Sequence, residues 1–467
     1  MVDDVVSPVV AAGGCVQPIR LSGRSDHVDL ATGEIRATAA PPTVHVRCNN
    51  RRASACPDCS KLYQRDARRI VVGGLEAAAG GSAGPAGSPA WFITLTAPSF
   101  GAVHSRRAGT GADSRICRQR RGTCEHGRAL SCLLRHAADD RRLGEPICSA
   151  CFDYGRAVVW NAMVSALWKA TRDALESAIA AAAGLTVAGL RRQVRVSFVR
   201  VAEVQRRGLV HLHVVVRVDG RDSSGGLTGV PEWAAGELVA DCLRDVVASV
   251  AVAAPDPAGV ALLDASRALP VAASAGGWAV RWGGQVDIRR IRLGSEMDAA
   301  RVGNYLAKYL TKSTTDGGAL DAPVRSLRQL ARLGLREHAR RLVEACWRLG
   351  SDTAFTAALD AAAGRPPGRV PGLIRWSHSF GFGGHALTKS RAYSTTFCAL
   401  RTVRRRYARV LAAAFAGRPL GVDGGGLVVL DEFGRPDGDP ATLVVGSWRY
   451  AGRGRDPVAG NRPGDWL

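Results

Sequence analysis

QVRVSFVRVAEVQRRGLVHLHVVVRVDG, residues 193–220, alternates β-branched and polar residues on both sides of Arg206-Arg207-Gly208. Two period-2 runs separated by three residues, the last a glycine free to take a positive φ, read as a β-hairpin. A hairpin symmetric about Arg207 sets Glu203 opposite His211 and Val201 opposite His213, unless a bulge shifts the register by one. Strand side chains alternate between faces, so Glu203, Gln205, His211 and His213 share one face. Ala202, Val204, Val210, Leu212 and Val214 form the other, an apolar set suited to packing under helices. Two imidazoles and a carboxylate thus converge with room for water or a substrate oxygen, a three-ligand site for a divalent ion, with Gln205 as a substitute ligand. An HxH spacing is weak in a chain with 10 His; the facing Glu203 beneath a tight turn is what favours a metal over two surface histidines.

The flanking sequence supplies the rest of a sheet. WFITLT (91–96) is β-rich and stops at Pro98, and AVVWNAMVSALWKATRDALESAIAAAAG (157–184) is a long helix closed by Gly184. A second helix covers about 231–252, WAVRWGGQVDIRRIRL (278–293) is strand-like, and a further helix follows from about Glu296 to Lys312. From 91 to 291 the order is β-α-β-β-α-β, a split βαβ (ferredoxin-like) arrangement around an antiparallel sheet, which places the chain in the α+β class. Residues 1–90 read as a loosely structured N-terminal region with a Cys cluster. Residues 91–315 form the central domain, with 101–155 a Cys- and His-rich insertion; 316–420 are mostly helical, and 421–467 are a Gly- and Pro-rich tail with short strand runs.

The 63 Lys plus Arg against 41 Asp plus Glu give a formal charge of +22, which points to a polyanionic partner, most simply nucleic acid. Only Lys61, Lys169, Lys308, Lys312 and Lys389 are lysines; the rest are Arg, an abundance that GC-rich coding largely explains but whose excess over acids it does not. Hydrophobic residues at 46% exclude a disordered chain, and no apolar run reaches the ~20 residues of a membrane span. The N-terminal MVDDVVSPVVAAGG carries two Asp where a signal peptide carries positive charge, so a cytoplasmic location is expected.

NYLAKYLTKS (304–313) puts Tyr305, Lys308, Tyr309 and Lys312 at i, i+3, i+4 and i+7, one stripe of a helix. Random placement of 7 Tyr and five Lys yields YxxKYxxK on the order of 10⁻⁵ times. An ordinary amphipathic helix would bury its tyrosines, yet two lysines on the same stripe would then need buried partners. The residues suit phosphoryl transfer. A phenol is a poor nucleophile until deprotonated or oriented, a divalent ion on the His/His/Glu face would polarise the scissile phosphate, and the ammonium groups would orient it or protonate the leaving oxygen. Attack by tyrosine would exchange one phosphodiester for a 5′-phosphotyrosine and a free 3′-OH, so neither cleavage nor rejoining would need ATP.

HLH after a Glu-containing strand, followed about 90 residues on by YLAKYLTK, resembles the HUH endonuclease superfamily, and within it the rolling-circle replication initiators of actinobacterial plasmids and integrative elements. WFITLTAPSF is similar to the family's first motif; EVQRRGLVHLH and WSHSFGFGGHALTKSRAYSTT are similar to signatures of the plasmid initiators. The resemblance covers roughly residues 45–405. It implies an HUH fold, a nicking-closing transesterase, and Mg²⁺ or Mn²⁺ held by His211, His213 and Glu203. It makes Tyr309 the first nucleophile, because KYLTK matches the single-tyrosine plasmid initiators, and Tyr305 the second, as in the two-tyrosine phage enzymes. The implied partner is origin DNA, double-stranded for recognition and single-stranded for cleavage. HUH transposases and relaxases share this chemistry, and a non-catalytic zinc-dependent DNA-binding regulator is the reading from another class; it leaves the HLH hairpin and the tyrosine stripe unexplained.

Twelve cysteines in a chain expected in the cytoplasm favour metal over disulfides. Cys56-Pro-Asp-Cys59 and Cys148-Ser-Ala-Cys151 are CxxC knuckles, with Cys48, Cys124, His126, Cys132 and His136 near them, and structural zinc is expected. Two partitions stay open: one ribbon of Cys56, Cys59, Cys148 and Cys151, or Cys48 with the first pair and a separate 124–151 site. Cys242 and Cys346 fall in helical patterns as core residues. GHALTKS (384–390) lacks the glycine a phosphate loop needs, since Thr388 stands there, so no motor is evident and unwinding calls for a host helicase. Arg206, Arg207, His385, Lys389, Arg391 and Arg404 are candidate DNA contacts.

Overall fold

Five strands of the central part of the chain are β1 (Ala90–Leu95), β2 (Val194–Val204), β3 (Val210–Arg221), β4 (Val286–Ile291) and β5 (Leu387–Lys389). In the computed structural model they pair antiparallel throughout, in the order β4-β1-β3-β2-β5, with Leu227–Thr228 beside β3. The structure describes residues 12–38, 43–78, 87–108, 114–259, 277–291, 296–311, 320, 322–366, 368 and 370–454. The chain divides into two units, residues 71–394 and residues 1–70 with 395–467.

The helices that cover the sheet are α1 (Tyr154–Ala182), α2 (Leu238–Ser249), α3 (Glu296–Thr311) and α4 (Glu337–Ser351). Asp153 caps α1 by accepting from the backbone N–H of Arg156 at 2.8 Å, and Gly184 takes φ +66° just beyond its end. The apolar stripe of α1 (Trp160, Met163, Val164, Leu167) shares one core with Ile93 and Leu95 of β1 and with Val210, Leu212, Val214 and Val216 of β3. Ala202 and Val204 pack against the same cluster, so the apolar face of the hairpin is the face under α1, α2 and α4. Each fully buried aliphatic side chain there contributes roughly 1.5–3 kcal/mol, which fixes the register and with it the opposite, polar face.

The run 278–293 divides. Gly277–Arg281 pairs with Ala251–Pro255 in a two-stranded sheet, and only Val286–Ile291 joins the central one. The break falls at Gly283, whose N–H donates to Thr96 O at 2.8 Å and which lies so close to the Ala97 carbonyl that a Cβ would collide with it.

The terminal unit differs from the loose N-terminal region the sequence suggests. Ile19–Asp29, which shows no clean alternation, pairs along its length with Thr442–Arg453, and Ile35–Ala37 and Thr43–Val46 flank it. Pairing between chain ends leaves no local pattern for sequence reading to find. Leu420–Asp423 and Gly426–Val429 form the short hairpin of the tail, and Arg404, on helix Phe397–Phe415, clamps Asp66 at 2.5 and 2.6 Å. Among the described residues no single helix is long and apolar enough to cross a membrane.

Candidate active site and metal centres

Glu203 pairs with His211 and Val201 with His213, with no bulge between them. The turn that allows this is Gln205–Leu209, closed by Gly208 N–H to Gln205 O at 2.8 Å and Gln205 N–H to Leu209 O at 2.9 Å. Gly208 takes φ +75°, and a Cβ there would run into Leu342 of α4, so both backbone and space require glycine. Two buried side chains pin the turn from beneath. Asn161 of α1 donates to Gly208 O at 2.9 Å and Phe380 O at 3.0 Å and accepts from Val210 N–H at 2.9 Å. His338 of α4 donates from Nε2 to Arg207 O at 3.0 Å and accepts at Nδ1 from the Tyr154 hydroxyl at 3.1 Å. Burial holds His338 neutral, down at about 4.

On the polar face, Glu203 Oε2 lies 3.5 Å from His213 Nε2, and the two imidazole rings stand 4.6 Å apart. His211 turns its Nδ1 to the Gln205 amide at 3.3 Å. Arg207 Nε donates to Gln205 Oε1 at 2.8 Å, which orients that amide so its NH₂ faces His211. Gln205 therefore acts here as a partner of His211 with its carbonyl already engaged. Thr94 of β1, paired with His213, has its hydroxyl 3.5 Å from His213 Nδ1. The face is roofed: His211 is 8% and His213 3% exposed.

Part of that roof is α3, which packs on β2. Tyr305 sets its ring edge-on to His213 at 5.5 Å and to Phe92 at 5.5 Å, while remaining 44% exposed. Lys308 is exposed one turn on. Tyr309 lies on the same helix but its side chain, like the whole of Lys312, lies outside the described residues. From Tyr305 a cleft of about 590 Å³ runs over Phe92, Thr94 and Val302 to Arg289, Arg290 and Arg301, all three arginines exposed. Phe92, Thr94 and these arginines were missed by sequence reasoning; the alternation of WFITLT, which sends Phe92 and Thr94 to the face opposite Trp91 and Ile93, was the available signal.

The other candidate DNA contacts divide by engagement. Arg206, His385 and Arg391 are exposed. Arg207 donates to Ala97 O and Pro98 O at 3.0 and 3.1 Å, with burial pushing it down to about 10. Lys389 donates to the carbonyls of Ser390, Arg391 and Ser394, and Arg404 is held by Asp66.

Three groups among the described residues bring four ligand atoms within 4.8 Å of one another and could hold zinc: Cys15, Cys48, Cys56 and Cys59; His104, Cys117, Cys132 and His136; and Cys124, His126, Cys148 and Cys151. The hairpin set of Glu203, His211 and His213 is not among these groups. Cys56 and Cys59 group with Cys15 and Cys48, Cys148 and Cys151 group with Cys124 and His126, and the 124–151 cluster divides between two groups. Cys15, His104 and Cys117 are the candidate ligands that sequence reading passed over, since none sits in a CxxC knuckle. Burial would raise the Cys56 thiol, but backbone N–H groups of Cys59 and Val16 hold it down at about 7, close to the thiolate a metal takes. Cys242 and Cys346 are buried in α2 and α4.

Residues 1–462 match the family model described as replication initiator protein, pSAM2. A replication initiator protein of Streptomyces ambofaciens is 36% identical over 459 residues, covering 95% of this chain and 85% of that one. No solved structure matches. The chain belongs to the pSAM2-type family of replication initiator proteins.

Proposed function

We propose that this chain is an HUH-type initiator that nicks and rejoins one strand of its element's origin through a tyrosine on α3. The observation that supports this best is the Tyr305 ring against His213, beside Glu203, at the mouth of a cleft rimmed by three arginines. Two imidazoles and a carboxylate fit a divalent first-row ion or Mg²⁺, and Mn²⁺ or Mg²⁺ is the ion expected in the cell by availability. Such an ion, held by His213, Glu203 and His211 once His211 leaves Gln205, would polarise the scissile phosphate.

The chain's own residues do the rest. The tyrosine Oη forms a bond to phosphorus as the P–O3′ bond breaks; the phenol gives up its proton and the departing 3′ oxygen gains one, so the exchange is proton-neutral. Lys308, one turn from Tyr305, stands where an ammonium group can orient the phosphate or supply that proton. The apolar floor of the cleft suits unstacked bases, and Arg289, Arg290 and Arg301 suit the phosphates of a single strand. By the resemblance Tyr309 nicks first and Tyr305 second. Zinc in the Cys/His groups is structural in this reading, and a host helicase opens the duplex.

Supercoiled plasmid carrying the element's origin tests the proposal. Mn²⁺ should convert it to the open circle, and His211→Ala with His213→Ala should leave it supercoiled. Nicking that persists in that double variant would remove the hairpin histidines from the reaction, and no nicking by the wild type with Mg²⁺ or Mn²⁺ on any fragment of the element would return the protein to the class of zinc-dependent regulators.

A further inference from the structure

We propose that His104, Cys117, Cys132 and His136 bind a zinc ion that positions the catalytic hairpin, an inference that rests on the hairpin reading above. The insertion that supplies these ligands has little structure of its own: between Gly101 and Asp153 the described residues contain no helix and only the two-residue strands Arg107–Ala108 and Ser114–Arg115. What converges there are donor atoms. His136 Nε2 lies 3.2 Å from His104 Nδ1 and 3.5 Å from Cys132 Sγ, while His136 Nδ1 contacts Asp140 Oδ2 at 2.7 Å. An imidazole whose far nitrogen is held by a carboxylate is the arrangement that orients a metal ligand. Arg142 in turn grips Asp140 through Nη2 at 2.9 Å and its backbone N–H at 2.9 Å.

The loop that carries Asp140 and Arg142 lies between this group and the tip of the hairpin. His104 exchanges two backbone hydrogen bonds with it, donating to Glu145 O at 2.8 Å and accepting from Gly144 N–H at 2.9 Å. Gly144, at φ +88°, lies against the Arg206 backbone so closely that a Cβ would collide with its carbonyl. Arg206 donates to Asp140 O at 3.4 Å, and Arg336 secures the loop from behind through Arg141 O at 2.9 Å and Glu145 at 3.2 Å. The next residue, Arg207, orients Gln205, and Gln205 contacts His211. A continuous chain of contacts thus leads from two zinc ligands, through one loop and the turn, to a ligand of the catalytic ion. The four residues act through the hairpin and are positioning residues.

The test uses full-length protein and three readouts: zinc per chain by mass spectrometry, Mn²⁺ affinity by electron paramagnetic resonance, and hydrogen exchange at residues 204–210. Cys132→Ser should lose one zinc, weaken Mn²⁺ binding roughly tenfold, the low end for lost outer-shell support, and speed exchange at the turn. Gly144→Ala keeps all four ligands, so it should retain its zinc yet weaken Mn²⁺ and speed exchange at the same residues, which separates coupling from a failure to fold. The inference is overturned if Cys132→Ser keeps its full zinc, or loses it with turn exchange unchanged. A wild type that binds zinc but no Mn²⁺ overturns the hairpin reading instead, while exchange at the turn still decides the coupling.

Discussion

The hairpin and the Cys/His groups hold candidate ligands by opposite means. On the hairpin, His211, His213 and Glu203 sit on paired strands whose register is set by apolar packing on the other face, and Asn161 and His338 fix the turn. Each Cys/His group of four gathers ligands across 28 to 45 positions of chain, none of them set opposite one another by paired strands, and the donor atoms are the convergence point. A site built on a sheet exists before its ion arrives; a site built from loops depends on its ion to exist.

The largest expected effect divides the two kinds of site. Exhaustive chelation at neutral pH should remove hydrogen-exchange protection across residues 101–153 and around Cys15, Cys48, Cys56 and Cys59 while β2 and β3, away from the turn at 204–210, stay protected. Equal loss in both regions would mean the hairpin, too, is assembled by metal.

A smaller effect tests whether the hairpin is held by its own packing. His338 titrates near 6.5 in an unfolded chain but only at about 4 when buried. Unfolding therefore takes up a proton between those values, so the stabilisation is complete above pH 6.5 and is lost as pH falls toward 4, amounting to about 3 kcal/mol. Chemical denaturation across this range should show that slope, and His338→Asn should flatten it. An unchanged slope in the variant would remove His338 from the account.

Smaller again, Gly208→Ala should cost roughly 2 kcal/mol, from its positive φ and the contact with Leu342, measured by the denaturation midpoint. A neutral substitution would show that the turn is less constrained than its surroundings imply.

The same contrast explains what the sequence could reveal. Alternation about Gly208 displayed the register of Glu203 and His211, and the i, i+3, i+4 spacing displayed the tyrosine stripe, because regular structure turns spacing into geometry. Cys15, His104 and Cys117 carried no such signal: an irregular loop fixes no distance between residues, so only the folded chain shows which ligands meet. The roof over the hairpin was hidden for a related reason, since the ring contacts of Tyr305 with Phe92 and His213 join α3, β1 and β3 from distant stretches of chain. Pairing of Ile19–Asp29 with Thr442–Arg453 was hidden most completely, its partners lying at the two ends of the chain.

The central claim, that a tyrosine of α3 attacks DNA over the hairpin, is tested most directly by mapping the covalent adduct. Full-length protein incubated with single-stranded origin oligonucleotide and Mn²⁺, then digested and sequenced by mass spectrometry, should carry a 5′-linked nucleotide on Tyr309 or Tyr305, with a free 3′-OH on the released strand. The double variant Tyr305→Phe with Tyr309→Phe should carry none. An adduct on any other residue, or cleavage without an adduct, would contradict the account.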